Sequence, residues 1–202
     1  MASRDDEMRD FLHGAGIDPG AVDSALEIDG VMQQWRRRWN KRELGNSALR
    51  DLQLSDRLDL AQLDVLMAIW APSKEFHCKA GQETMVATVA ERLAIDPSRA
   101  SRLVSDLISK GLARRAVSQQ DARRTIVELT ENGKAIVRAV RRYKFLLMGD
   151  FLSGWSPEER DTFLPLLARF TKWTEEAPNM ASDHFAEEVA ALVARLSPTD
   201  KG

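Results

Sequence analysis

The chain is poor in the residues that build covalent or metal-held scaffolds. It has a single cysteine, Cys78, so no intrachain disulfide can form. That usage fits a reducing compartment, and a cytoplasmic location is expected. Its three histidines, His13, His77 and His184, are scattered along the chain. With one thiol they give no metal-ligand spacing. No glycine-rich phosphate loop, Ser-His-Asp set or other catalytic motif occurs, so neither an enzyme nor a cofactor is expected. No apolar run is long enough to span a bilayer. The opening "MASRDDEMRD" is acidic and lacks the basic-then-apolar order of a secretory signal. No membrane partner is expected.

What is present suits a chain with a real core. The 202 residues are 44% hydrophobic and 30% charged, enough for one elaborated domain or two small ones. Net charge is −2, which by itself points to no nucleic acid. The distribution is more informative. Between Arg92 and Arg124 eight cations face three acids, a net of +5, whereas residues 1–30 carry a net of −6. A basic centre between acidic ends is the electrostatic footprint of a DNA-binding module.

Local signals place the elements. A short helix is expected over Asp5–His13. Asp18 caps a second, with Pro19 at its first position, running to about Leu44 and Gly45. "LDLAQLDVLMAIW" reads as a helix capped by Asp59 with Gln62 reaching back. Residues 71–84 read as a loop. "TMVATVAERL" is a short helix. In "AIDPSRASRLVSDLISKGL", Asp96 caps, Pro97 opens the helix and Gly111 stops it. Ala100, Leu103, Val104, Leu107 and Ile108 keep helical spacing on one side. The other side reads Ser98, Arg99, Ser101, Arg102, Ser105 and Ser109. Two helices joined by about three residues make a helix-turn-helix. "ARRAVS", the tip "QQDAR" and "RTIVELT" then form a hairpin, which completes a winged helix. Thr130 caps the next helix, to about Leu152. Ser156 and Glu159 open another, which Pro165 should kink, and a last helix is expected from Ser182 to Leu196. The expected fold is mainly α, with one small β-hairpin wing.

Residues 58–140 resemble the MarR family of bacterial winged-helix regulators. The likeness rests on "RLVSDLISKGLARR" and on "DARRTIVELTENG", where Asp121, Arg123, Leu129 and Thr130 fit the family spacing of the wing. Ala122 stands where the family often has Arg or Gly, with Arg124 one place later. The 71–84 link looks longer than usual, and about fifty-seven residues precede the pattern. The resemblance implies N- and C-terminal dimerisation helices around the winged domain. The expected division is 1–57 for the N-terminal extension and dimerisation helix, 58–130 for DNA binding, and 131–202 for the C-terminal dimerisation helices.

The functional expectation follows from the residues. Arg123 at the wing tip suits the focused negative potential of a narrow minor groove, and Asp121 can grip its guanidinium. Arg124 adds a second cation. On the second helix Arg99 is assigned to base reading and Arg102 to phosphate, with Ser98, Ser101 and Ser105 making short contacts. The expected partners are double-stranded DNA with a pseudo-palindromic operator and a second copy of the chain. In "WRRRWNKR", Trp35 and Trp39 are expected to bury in the core or a dimer interface, leaving Arg36, Arg37 and Arg38 wet. A further reading takes Arg38, Trp39 and Trp70 as the wall of an effector pocket, since family members often bind aromatic or carboxylate ligands. Cys78 is read first as an ordinary loop thiol and alternatively as a redox sensor. The expected function is thus a homodimeric, sequence-specific repressor released by a small aromatic or acyl/carboxylate effector. The alternatives are a thiol switch at Cys78 and a winged-helix protein-interaction scaffold.

The effector and thiol readings predict different behaviour. In the first, aromatic carboxylates quench tryptophan emission and weaken DNA binding over one concentration range, with reciprocal coupling. In the second, peroxide releases DNA and Cys78→Ser abolishes the release. Silence of a broad ligand panel in both assays rejects the first; peroxide sensitivity that survives Cys78→Ser rejects the second.

Overall fold

The computed structural model describes residues 4–70 and 83–196, with the backbone alone at 4, 39, 40, 178, 179 and 181–183. The expected loop over 71–84 falls mostly outside these residues, as do Cys78 and His77. The helices are α1 (Arg4–Gly14), α2 (Pro19–Lys41), α3 (Glu43–Asp51), α4 (Leu60–Trp70), α5 (Val86–Leu93) and α6 (Pro97–Ser109). Strands β1 (Ala113–Val117) and β2 (Thr125–Leu129) follow, then α7 (Glu131–Ser153), α8 (Pro157–His184) and α9 (Ala186–Leu196). The chain divides into two units, one of residues 42–151 and one of residues 1–41 with 152–202.

The 42–151 unit is the winged helix. Its core gathers Leu49 from α3, Leu63, Val65 and Leu66 from α4, Val89 from α5, Val104 and Leu107 from α6, Val127 from β2 and Val137 from α7. Leu66, Val104, Leu107 and Val137 have no exposed surface. Each such side chain contributes about 1.5–3 kcal/mol by leaving water. The caps are made as expected. Gln62 N–H donates to Asp59 at 2.8 Å and Asp59 N–H donates to Gln62 Oε1 at 3.3 Å. Asp96 Oδ1 accepts Ser98 N–H at 2.8 Å and Arg99 N–H at 3.2 Å, with Pro97 in the first turn. Gly111, at φ +67°, takes the left-handed position that ends α6.

The hairpin pairs Ala113 with Leu129 through to Val117 with Thr125, antiparallel. At its base the chain makes a crowded corner. Leu112 O accepts Thr130 N–H at 3.1 Å, and the Thr130 hydroxyl donates to Gly111 O at 2.8 Å. The same hydroxyl oxygen accepts Gly133 N–H at 3.2 Å, capping α7. A Cβ on Gly133 would lie 2.0 Å from Leu112 O, so only glycine fits.

Two helix boundaries are corrected. The second helix does not reach Leu44 and Gly45. It ends at Lys41, because Arg42 adopts a left-handed conformation (φ 53°, ψ 35°) and α3 starts afresh at Glu43. Arg42 is held there by its guanidinium, which donates to Leu60 O at 3.2 Å and pairs with Asp64. Gly45 is therefore no stop; it lies within α3, where a Cβ would meet Leu60 at 2.9 Å. The second correction concerns the C-terminal helices. One helix, α8, runs from Pro157 to His184 through both Pro165 and Pro178, and the last begins at Ala186 rather than Ser182. Each proline removes one backbone bond, and the turns on either side carry the helix on. The Lys172–Glu176 pair at 3.3 Å supports the stretch between them.

In the other unit, Arg9 on α1 pairs with Asp23 on α2 at 2.9 Å, and Asp18 accepts Ala21 N–H at 3.0 Å as the expected cap. Val22 is fully buried, whereas Trp35 is 52% exposed. Burial of Trp35 in the core of this chain is thus overturned, and the side chain of Trp39 lies outside the described residues. Ser156 and Glu159 make their reciprocal cap at 2.7 and 3.2 Å.

Gly133→Ala is expected to destabilise the chain by about 1–3 kcal/mol, the usual range for overpacking a tight site. Urea unfolding measures it, and an unchanged midpoint would show that α7 does not approach Leu112 this closely.

Candidate nucleic-acid interface

The site is built on α6 and on the hairpin tip. Helix α6 has two faces because its sequence does. Ala100, Val104 and Leu107 are buried, which turns Ser98, Arg99, Ser101, Arg102 and Ser105 outward, all exposed. Its first turn is held by Asp96. Hydrogen bonds from the Ser98 hydroxyl, then from the Arg99 and Ser98 N–H groups, keep that carboxylate below the usual aspartate range, with the Arg102 charge adding to the effect.

The eight cations of the basic centre divide by what they touch. Arg92 donates to Ala68 O at 2.8 Å and to Thr84 Oγ1 at 2.9 Å, tying α5 to α4. Lys110 donates to Arg57 O at 2.7 Å and to Gln62 Oε1 at 2.8 Å. Arg114 pairs across the strands with Glu128 at 2.8 Å, and Arg124 pairs with Asp121 at 3.3 Å. The side chains of Arg99, Arg102, Arg115 and Arg123 are exposed and make no hydrogen bond or ion pair among the described residues. These four can neutralise phosphates or read base edges without first breaking an internal contact. Arg115 was not among the sequence candidates; its place in a strand hides it from a helix-face argument.

At the tip the expected grip of Asp121 on the Arg123 guanidinium is not made. Asp121 accepts the backbone N–H of Arg123 at 3.0 Å, and its ion pair is with Arg124. The reason is the turn: Arg124 N–H donates to Asp121 O at 2.9 Å, which brings the first and fourth residues together and leaves Arg123 projecting. Ser118 braces the tip, its Oγ accepting Gln120 N–H at 3.1 Å and Asp121 N–H at 3.0 Å. Glu83 was also missed. It lies ahead of α5, accepts the Ser118 hydroxyl at 2.5 Å and Gln119 N–H at 2.7 Å, and no local pattern in the sequence marks it.

The expected effector residues are not brought together within one unit. Trp70 lines a groove of about 400 Å³ with Glu83, Thr84, Arg114, Glu128 and Lys134. Arg38 belongs to the 1–41 segment, and the candidate thiol Cys78 lies outside the described residues. Among the described residues, no group of three or more His, Cys, Asp or Glu could hold a metal, and no helix is long and apolar enough to cross a membrane.

A helix-turn-helix whose second helix carries an exposed Arg/Ser face, followed by a two-stranded wing with arginines at its tip, defines a winged helix-turn-helix protein. The fold is that of MarR-family structures. A MarR family protein from Bacillus stearothermophilus superposes with a TM-score of 0.60 at 16% identity, over 76% of this chain and 96% of that one. FabT of Streptococcus pneumoniae, solved in complex with DNA, superposes with a TM-score of 0.58 at 18% identity, over 76% of this chain and 99% of that one. In sequence, 92 residues are 30% identical to YfiV of Bacillus subtilis (strain 168), described as an uncharacterized HTH-type transcriptional regulator. The match takes in 46% of this chain and 58% of YfiV. A similar protein of the same organism, YdgJ, is 30% identical over 87 residues, or 43% of this chain and 53% of its own length. The matches thus span little more than half of these relatives. No family model matches the chain.

A pH titration tests the α6 cap. Asp96 is depressed in the folded state, so its stabilising contribution is complete above the unfolded aspartate value and is lost as pH falls through the lower folded value. The Ser98 and Arg99 amide resonances should therefore hold their positions until the pH is below the ordinary aspartate range. Asp96→Asn should remove that step; a midpoint at the ordinary aspartate value would contradict the cap.

Proposed function

We propose that this chain is a MarR-type transcriptional regulator that binds double-stranded DNA sequence-specifically as a homodimer. One observation carries the reading: Arg99 and Arg102 stand among exposed serines on α6 and Arg123 projects from the wing, none of the three side chains hydrogen-bonded or ion-paired among the described residues. A major-groove helix beside a minor-groove arginine needs that division of contacts. On this reading 58–130 is the DNA-binding domain, Arg99 reads a base edge, Arg102 and Arg124 neutralise phosphate, and Ser98, Ser101 and Ser105 make short hydrogen bonds. Asp121 shapes the wing turn rather than gripping Arg123.

The flanking segments, 1–57 and 131–202, supply the dimer contacts. In the single chain α7, α8 and α9 leave large apolar side chains exposed, among them Leu146 at 73%, Phe151 at 64% and Leu196 at 82%. Patches of that kind mark a protein interface. Two-fold symmetry then calls for a pseudo-palindromic operator. The regulator acts as a repressor released by a small aromatic or acyl/carboxylate ligand; the FabT and YfiV likenesses support DNA binding and regulation, and the ligand is this reading's own extension.

The test is a selection of bound duplexes from a random pool, followed by three variants. Arg99→Ala should relax preference at one base position per half-site by about 1–3 kcal/mol. Arg102→Ala should weaken all sequences alike and lower the salt slope by about one. Arg123→Ala should flatten preference for A·T-rich flanks. A pool that yields no enriched sequence rejects the reading, and exchanged phenotypes of Arg99 and Arg102 reverse their roles.

A further inference from the structure

The wing tip carries its own hydrogen bonds, but those shape it without fixing where it points. Strand pairing ends at Val117 and Thr125. Beyond it, Ser118 N–H donates to Arg124 O at 3.0 Å and Arg124 N–H to Asp121 O at 2.9 Å, all within the tip. Among the described residues, Glu83 is the group outside 118–124 that hydrogen-bonds to it.

The bonding there calls for two acceptor oxygens on residue 83. A serine hydroxyl has one proton and two lone pairs. Both lone pairs of the Ser118 oxygen face backbone donors, Gln120 N–H and Asp121 N–H. Its proton is left for Glu83 Oε2, 2.5 Å away, while Glu83 Oε1 accepts Gln119 N–H at 2.7 Å. Both oxygens of residue 83 must accept. An ionised carboxylate does so with both oxygens at full strength; a protonated acid accepts only weakly at its hydroxyl oxygen, and a glutamine turns an N–H toward one of these donors. Ser118 is 4% exposed, so water cannot readily substitute. The carboxylate is held below the usual glutamate range, first by the Ser118 hydroxyl, with the Gln119 and Gln120 N–H groups and the Arg124 charge adding.

The segment that carries Glu83 is itself anchored. Thr84 O accepts Val127 N–H at 2.7 Å from β2. Thr84 Oγ1 accepts Arg92 Nη1 at 2.9 Å, and that nitrogen also donates to Ala68 O at 2.8 Å. Residues 83 and 84 thus form a rail bonded to β2 and α5, and through Arg92 tied to α4, with its one carboxylate reaching the tip.

We infer that Glu83 is a positioning residue for DNA recognition: through Ser118 it fixes the wing turn against the helix-turn-helix, and so sets where Arg123 meets the flanking minor groove. Glu83 does this without touching DNA. The inference rests on the DNA-binding reading above and names a determinant of its flank specificity.

The test uses the full chain and duplexes recovered by the wild-type protein from a random pool, remade with A·T-rich or G·C-rich flanks. Glu83→Gln and Ser118→Ala are compared with Arg123→Ala and with the double variant Glu83→Gln/Arg123→Ala. In Glu83→Gln, amide exchange at Gln119, Gln120 and Asp121 should speed up while exchange in α6 stays unchanged. Its A·T-flank preference should fall toward that of Arg123→Ala, with base preference at the α6 positions intact. The double variant should lose no more flank preference than Arg123→Ala alone, because both act through one side chain. Ser118→Ala should give the same pattern by removing the bridging hydroxyl. Retained flank preference in Glu83→Gln, additive losses in the double variant, unchanged tip exchange, or general unfolding of both single variants would each overturn the positioning role. If wild-type protein and Arg123→Ala alike show no duplex preference, the DNA reading fails and takes the positioning role with it; the exchange data then still report whether the clamp exists.

Discussion

The carbonyl of Leu112 sits where four parts of the winged helix meet. Helix α6 has just ended at Gly111, β1 is about to begin, β2 returns at Thr130 and α7 starts beside them. Leu112 O accepts Thr130 N–H, and the Thr130 hydroxyl reaches Gly111 O. Helix α7 can enter this corner because Gly133 has no side chain to strike the carbonyl. The recognition helix, the wing and the helix leading to the C-terminal segment therefore share one small set of backbone contacts. Their mutual angles cannot change without losing several of these hydrogen bonds or driving Gly133 against the Leu112 carbonyl.

That rigidity gives meaning to the sorting of the arginines and lysines. The basic centre counts eight cations, yet four of them are occupied. Arg92 satisfies the buried Ala68 carbonyl and Thr84 hydroxyl, Lys110 the buried Gln62 side chain, and Arg114 and Arg124 sit in surface pairs. Surface pairs of this kind contribute roughly 0–1 kcal/mol, so Arg114 and Arg124 can exchange a carboxylate for a phosphate at small cost. Arg92 cannot, because buried Ala68 and Thr84 would lose their donor, and Lys110 would leave the buried Gln62 side chain without one. On the DNA-binding reading proposed above, the positive field over the site belongs to all eight, and the specific contacts to the exposed few.

The wing shows the same economy in carboxylates. Asp121 and Glu83 both lie beside arginines, and neither neutralises Arg123. Asp121 uses its oxygens on a turn amide and on Arg124; Glu83 uses both of its own on Ser118 and Gln119. The acids hold the tip in shape and leave its projecting cation available.

Much of this was legible from short-range patterns. Asp96-Pro97 at one end of α6 and Gly111 at the other delimit it, and the spacing of Ala100, Val104 and Leu107 decides which way Arg99 and Arg102 face. The reciprocal caps at Asp59–Gln62 and Ser156–Glu159 are equally local, and local bonds form wherever the chain adopts a helix. The misreadings have non-local causes. Arg42 breaks a helix that propensity would continue, because its guanidinium finds Asp64, and Gly45 is small to admit Leu60 rather than to stop a helix. Arg123 has no ion pair among the described residues because the turn hands Asp121 to Arg124. Glu83 reaches a serine 35 residues away, a partnership no periodicity encodes. The sequence by itself determined which residues form each helix and strand and which faces are polar, since those depend on neighbours within a few residues. Only the tertiary structure decided which of the described cations are tied up in internal contacts and which carboxylate holds the wing, since hydrogen-bond partners are chosen by proximity in space.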